Sequence, residues 1–157
     1  MKRLLLAFLL FALPACAQPC DETLWKHVYH KQRLKVLEPC IEVTGTIVDA
    51  THGRRKDGQR HEADGDNHGW LAVDDNERNV LISGNISDEN GDLVFECICQ
   101  YEVKQQDAIA SCKNFHSRIT IPPPGTKVRI RGSLVTDLQH KPLHNEIHPV
   151  SSIEILK

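Results

Sequence analysis

"HNEIHPVSSIEIL", residues 144–156, decides the fold, because it reads as the strand that closes a curled sheet. Ile147, Ile153 and Ile155 are its core candidates, while Glu146 and His148 alternate onto the opposite face. Two charged or titratable side chains on one face of a closing strand ask for partners on its neighbours. Working outward, four earlier stretches share the alternation. "CIEVTGTIVDA" (40–50) places Ile41, Val43 and Ile47 on one parity and Glu42, Thr44 and Thr46 on the other, with Gly45 breaking the inward row as a bulge or bend would. "HGWLAVDD" (68–75) points Leu71 and Val73 inward and His68, Trp70 and Ala72 outward. "LVFECICQY" (93–101) is apolar on both parities near its middle, so both of its faces are covered. "TKVRIRGSLV" (126–135) turns Val128 and Ile130 inward and Lys127, Arg129 and Arg131 outward, with a bend at Gly132.

Between the strands, "DETLWKHVYHKQRLKVL" (21–37) lacks Gly and Pro and spaces Leu24, His27 and Val28 as a helix would behind an Asp21 cap. "EVKQQDAIASC" (102–112) has helix formers and a modest stripe at Val103, Ile109 and Ala110, ending before the prolines of "IPPPG". "THGRRKDGQRHEADGDN" (51–67) is a charged loop without periodicity, and "NVLISG" (79–84) is a short strand or a connecting excursion. The order strand, strand, strand, helix, strand, strand, with short strands and glycine bends, predicts a mainly β protein. Its form is a small five-stranded OB-fold-like barrel, with a short N-terminal helix and a helix between strands 3 and 4. The barrel order 1-2-3-5-4-1 makes the second, third and fifth strands neighbours.

The opening "MKRLLLAFLLFALPACAQPC" carries the basic start, short apolar run and Ala15-Cys16-Ala17 cleavage pattern of a signal peptide over residues 1–17. The run is too short for a transmembrane span, and the mature chain holds no other. Leu13-Pro14-Ala15-Cys16 offers a rival reading, a lipoprotein anchored through Cys16. The expected organisation is a leader, an N-terminal helical segment at 18–38 and one domain at 39–157, exported to the periplasm or secreted. The chain has 19 basic and 21 acidic residues, a formal charge of −2, so no basic excess advertises nucleic acid. After the leader, Cys20, Cys40, Cys97, Cys99 and Cys112 remain, an odd set in an oxidising compartment. Cys97-x-Cys99 lacks the gap of a zinc knuckle.

The stretches "LWKHVYHKQRLKVLEPCIEVTGTI", "DGDNH", "DLVFECIC" and "NEIHPVSSIEI" together resemble a group of exported bacterial OB-like proteins that pair a DGDxH stretch with an E-[IL]-H-P-V ending. The resemblance spans nearly the whole mature chain and implies fold and export, with no activity attached. Cys97 departs from that pattern and becomes the free thiol by that comparison. Cys20–Cys40 and Cys99–Cys112 are then the simplest pairs.

In that barrel Glu96 would join His68, Glu146 and His148 in one outward row, with Asp64 and Asp66 at the strand edge. Carboxylates and imidazoles on one face suit a divalent metal ion able to activate water, so a metal-dependent hydrolase is one reading. The competing reading is a hydrogen-bonded patch that secures the closing strand of a binding module, with Asp-Gly-Asp as a turn. Trp70, Lys127, Arg129 and Arg131 form a second candidate surface. The partners considered are a saccharide, an anionic ligand or another protein, with nucleic acid less favoured by the charge. No Ser-His-Asp grouping, phosphate loop or dinucleotide fingerprint is present.

Overall fold

The longest strand is β1 (Leu34–Val48), whose alternating burial begins near Ile41. It is followed by β2 (Arg60–His61), β3 (Asn67–Val73), α1 (Ser83–Asp88), β4 (Leu93–Cys97), β5 (Lys127–Asp137) and β6 (His144–Ile155). The computed structural model describes residues 19–50 and 57–157. The leader at 1–17 and its Cys16 alternative lie outside these residues, as does the 51–56 part of the charged loop. The protein is mainly β, with one six-stranded sheet ordered β1-β5-β6-β4-β3-β2 and a further β1–β3 pairing. The line of neighbours therefore returns to β1, with β2 as a short flap on the edge of β3. β4 and β6 run parallel, and every other pair runs antiparallel.

One face of this sheet buries the main core. Val43, Ile47, Leu71, Leu93, Phe95, Val128, Ile130 and Ile147 meet there, with Val80 and Ile121 closing its ends. The free thiol Cys97 is part of this core, and burial pushes its pKa upward, so it behaves as an apolar side chain. Asn85 docks α1 on β6: its amide oxygen accepts from Asn145 N at 2.9 Å and its amide nitrogen donates to Asn145 O at 2.9 Å. These bonds satisfy buried backbone that the irregular 75–92 excursion would otherwise leave unpaired.

A second, smaller core covers the other face, built from Leu24, Val28, Leu34, Ile98, Cys99 and Val135. The Cys20–Cys40 and Cys99–Cys112 disulfides tie its two segments to the sheet. Here the structure corrects the sequence reading of the helices. The N-terminal segment makes two 3-10 turns, Glu22–Lys26 and Lys31–Arg33, instead of a continuous helix. Asp21 does cap the first turn, accepting from Thr23 N at 2.9 Å, but His30 sits at φ 45 and stops helical continuation, and β1 takes the chain from Leu34. The helix expected between the third and fourth strands shrinks to a 3-10 turn at Gln106–Ala108, since the Cys99–Cys112 bridge folds that stretch back on itself. α1 stands instead in the excursion after β3.

Two positional readings also change. Ile155 is 61 % exposed at the end of β6, beyond the core that takes Ile147. Gly45 marks a close approach, because a Cβ there would stand 2.4 Å from Ala72 O on β3, while the register shifts of β1 fall earlier, between Val36 and Ile41. The shift at Gly132 does fall where a bend was read. Across β3 and β4, Gly69 faces Phe95, whose ring fills the space a side chain would need: a Cβ would lie 2.2 Å from it. Gly69→Ala should therefore lower stability by about 1–3 kcal/mol in urea denaturation, with part of the loss recovered by Phe95→Leu in the same chain. A Gly69→Ala variant as stable as the parent would show that the ring does not occupy this space.

Candidate functional site

Alternation fixes the direction of four candidate residues. With Leu71, Phe95 and Ile147 turned into the main core, His68, Glu96, Glu146 and His148 must face the other way. Register then brings them together: His68 opposes Glu96 across β3–β4, and the parallel β4–β6 pair sets Val94 against Glu146. All four are buried under the second core. Glu96 is the hub. His68 Nε2 ion-pairs with its Oε1 at 2.9 Å and His148 Nδ1 with its Oε2 at 2.7 Å. His148 Nδ1 also lies 3.4 Å from Glu146 Oε1, and His144 Nε2 lies 3.4 Å from Glu146 Oε2.

The sequence reading missed the cation at the centre. Arg33, from the last 3-10 turn before β1, reaches Glu96 at 3.7 Å and Glu146 at 3.6 Å and bonds Asp137 directly. Leu34 pairs with Asp137 in the β1–β5 ladder, so Arg33 and Asp137 are brought together by register. The one available signal was Asp137 itself, an acid ending the apolar run "GSLV".

These contacts set the charges. Burial alone would lift the Glu96 carboxyl, yet the His148 and His68 charges beside it hold it well below the usual carboxylate range. Glu146 is lowered despite its burial and the nearby Glu96, through His144 and His148, each 3.4 Å away. Burial works against the charged form of His148, but Glu96 and Glu146 push its pKa up to about 10. His68 and His144 are also raised, each by its glutamate against the pull of burial. Arg60 Nη2 donates to His68 Nδ1 at 2.9 Å, which places the proton of a neutral His68 on Nε2, facing Glu96. Protonating His68 would break that Arg60 contact.

Asp64 and Asp66 part company. Asp64 Oδ1 accepts from Asp66 N at 3.1 Å, the hydrogen bond of an Asx turn around Gly65. Asp66 is buried and accepts from Cys99 N at 2.7 Å, and burial pushes its pKa up to about 7. The second candidate surface does not form. Trp70 is buried beneath Arg60 and donates to Glu89 at 2.8 Å. Lys127 pairs with Asp74, Arg129 with Glu42 and Glu154, and Arg131 with Glu42, so the basic row is neutralised along its length.

Above the cluster opens a cleft of about 460 Å³ between the N-terminal turns, the β2 edge and the 139–140 tip. Glu96, His68 and Arg33 form its floor, and Tyr29, Arg60, Glu62, Gln105, Asp107 and Gln139 contribute to its walls. No helix among the described residues is long and apolar enough to cross a membrane.

Arg33→Met should destabilise the protein by about 3–5 kcal/mol, because it leaves three buried carboxylates short of a cation, whereas Arg33→Lys should restore only part of the loss. Chemical denaturation of the two variants measures this, and a loss under 1 kcal/mol for Arg33→Met would contradict it. The pH profile follows from the signs. The raised histidines stabilise the fold fully below the free value of 6.5, and His148 loses its contribution as pH climbs toward about 10. The lowered Glu96 and Glu146 stabilise above 4.5 and lose their contribution as pH falls. Asp66, raised from 3.8 to about 7, favours the fold at the acid end of this range and opposes it near neutrality. Urea midpoints of chelator-treated protein should peak between about pH 4.5 and 6.5 and decline on both sides; a maximum above pH 8 would contradict the charge assignment. Compared with known proteins, the chain matches no family model, no curated protein and no solved structure, so its function is argued from this geometry.

Proposed function

We propose that the protein is an exported, OB-type binding module whose cleft takes a small hydroxyl-rich ligand, a saccharide. The cyclic neighbour order β1-β3-β4-β6-β5-β1 and the parallel β4–β6 pair support the OB-type barrel, with β2 as an added flap. Two disulfides support an oxidising compartment and hence a cleaved leader at residues 1–17. Between the two readings of the acid-histidine cluster, the binding module is the better supported. Among the described residues, the ligand atoms of Glu96 and His148 group with Asp66 and leave out His68 and Glu146, so the four residues of the hydrolase reading share no common point for a catalytic ion.

The mixed lining of the cleft carries the ligand class. Glu62, Asp64, Glu96 and Asp107 oppose an anion, while Arg33 and Arg60 oppose a simple cation. Donors and acceptors in alternation suit hydroxyls, each of which both donates and accepts. Tyr29 stacks on His30 at 4.2 Å and is fixed by Asp107 and Gln105, which presents a rigid aromatic wall to a sugar ring. The test is a glycan array on residues 18–157 without an affinity tag, followed by calorimetry on the hits. Tyr29→Ala and Gln139→Ala should each weaken binding tenfold or more without lowering thermal stability. Inorganic phosphate and sulfate should not compete. Absence of any glycan binding at millimolar concentration, or displacement by sulfate with loss of binding in Arg60→Ala, would overturn the reading, the latter in favour of an anionic ligand.

A further inference from the structure

Beneath the floor of the cleft, Asp66, Glu96 and His148 each bring a ligand atom within 4.8 Å of the other two. All three are 2 % exposed or less. We propose that this trio binds one first-row divalent cation, with zinc the best match, as a structural ion tying β3, β4 and β6 together. This site goes beyond the saccharide reading and does not rest on it.

The unpartnered imidazole is the independent observation. His148 is fully buried, and neither of its ring nitrogens has a hydrogen-bond partner, a costly state for buried polar atoms. Its Nδ1 is 2.7 Å from Glu96 Oε2. Both atoms are without a hydrogen bond, so a buried imidazole nitrogen and a buried carboxylate oxygen stand side by side, available to one ion. Asp66 is held on the opposite side by the Cys99 amide and by the Asx turn at Gly65, and no hydrogen bond joins it to His148 among the described residues. Ligand atoms within 4.8 Å of one another accommodate a single ion after a modest inward turn of the side chains, since one tetrahedral ion spaces its ligands about 3.4 Å apart.

The donor set selects the ion. One imidazole nitrogen and two carboxylates suit zinc or manganese, whereas calcium and magnesium favour oxygen alone. Cys99 and Cys112 also lie near Asp66, but their sulfurs are joined in a disulfide and supply no thiolate. Glu96 Oε1 lies 2.9 Å from His68 Nε2, whereas its Oε2 accepts no hydrogen bond and is open to an ion. Arg33 leans toward Asp137, which balances the carboxylates on the far side. Asp66 and His148 do not line the cleft, so the ion is closed off from its contents and its role is structural.

The experiment uses untagged protein stripped with chelator and dialysed against zinc. One equivalent per chain should be retained by mass spectrometry of the metal, and thermal stability should rise on zinc addition. X-ray absorption at the zinc edge should show a single imidazole and only nitrogen or oxygen neighbours. Asp66→Asn preserves the acceptor for Cys99 N, and it should leave the metal-free fold intact while weakening zinc binding at least tenfold and removing the stabilisation. No retained zinc, sulfur in the absorption spectrum, or an Asp66→Asn variant that binds as tightly as the parent would each overturn the site. Glycan binding is read on the chelator-treated protein, so failure of either proposal is distinguishable from failure of the other.

Discussion

A carboxylate with almost no access to water governs this molecule. Burying an ionised glutamate is tolerable only where opposite charge and hydrogen bonds replace the lost hydration. At Glu96 that replacement comes from three separate places: His68 on β3, His148 on β6 and Arg33 from the N-terminal turns. The requirement couples the sheet to its cover. Were the N-terminal segment to lift away, Glu96, Glu146 and Asp137 would lose their shared guanidinium together. Such a network is weak evidence for added stability over an apolar core, but it is strict about geometry, because each member left without its partner is costly.

The cover earns its position through covalent and apolar links as well as through Arg33. Cys20–Cys40 pins the start of the segment against β1, and Leu24, Val28 and Leu34 pack on Ile98 and Val135. Cys99–Cys112 does the same for the stretch after β4. The result is a sheet with two cores of unequal size, the larger of aliphatic and aromatic side chains and the smaller roofing a polar cluster. Where the roof is incomplete, between the His30 turn and the β2 edge, the cluster meets solvent as the floor of the cleft. Binding chemistry is therefore located where covering stops, which is where a rigid floor and irregular walls coincide.

Local periodicity carried most of the architecture. A period of two is a property of the extended backbone, so the inward set Leu71, Val73, Val128, Ile130 and Ile147 and the outward set His68, Glu146 and His148 were legible before any pairing was known, whereas Glu96, on a strand apolar on both parities, was placed outward only by the fold. The helices were less so. Leu24 and Val28 do turn into a core, yet 3-10 turns suffice to bring them there, and the left-handed His30 is a choice of the packed chain that its residue type does not announce. Trp70 shows the same divide: its outward parity was readable, but its burial under Arg60 depends on β2, a two-residue strand with no periodicity to detect.

By itself, then, the sequence determined which side chains share a face, because strand alternation needs only the neighbours along the chain. Tertiary structure alone decided that this face is roofed, that Arg33, Asp137 and His144 complete its charges, and that Asp66 stands within 4.8 Å of Glu96 and His148. Those outcomes depend on register between strands far apart in the chain and on where two disulfides hold irregular segments. Neither leaves a repeating mark on the residues themselves, since the energy that selects them belongs to contacts across the fold and not to any stretch of it.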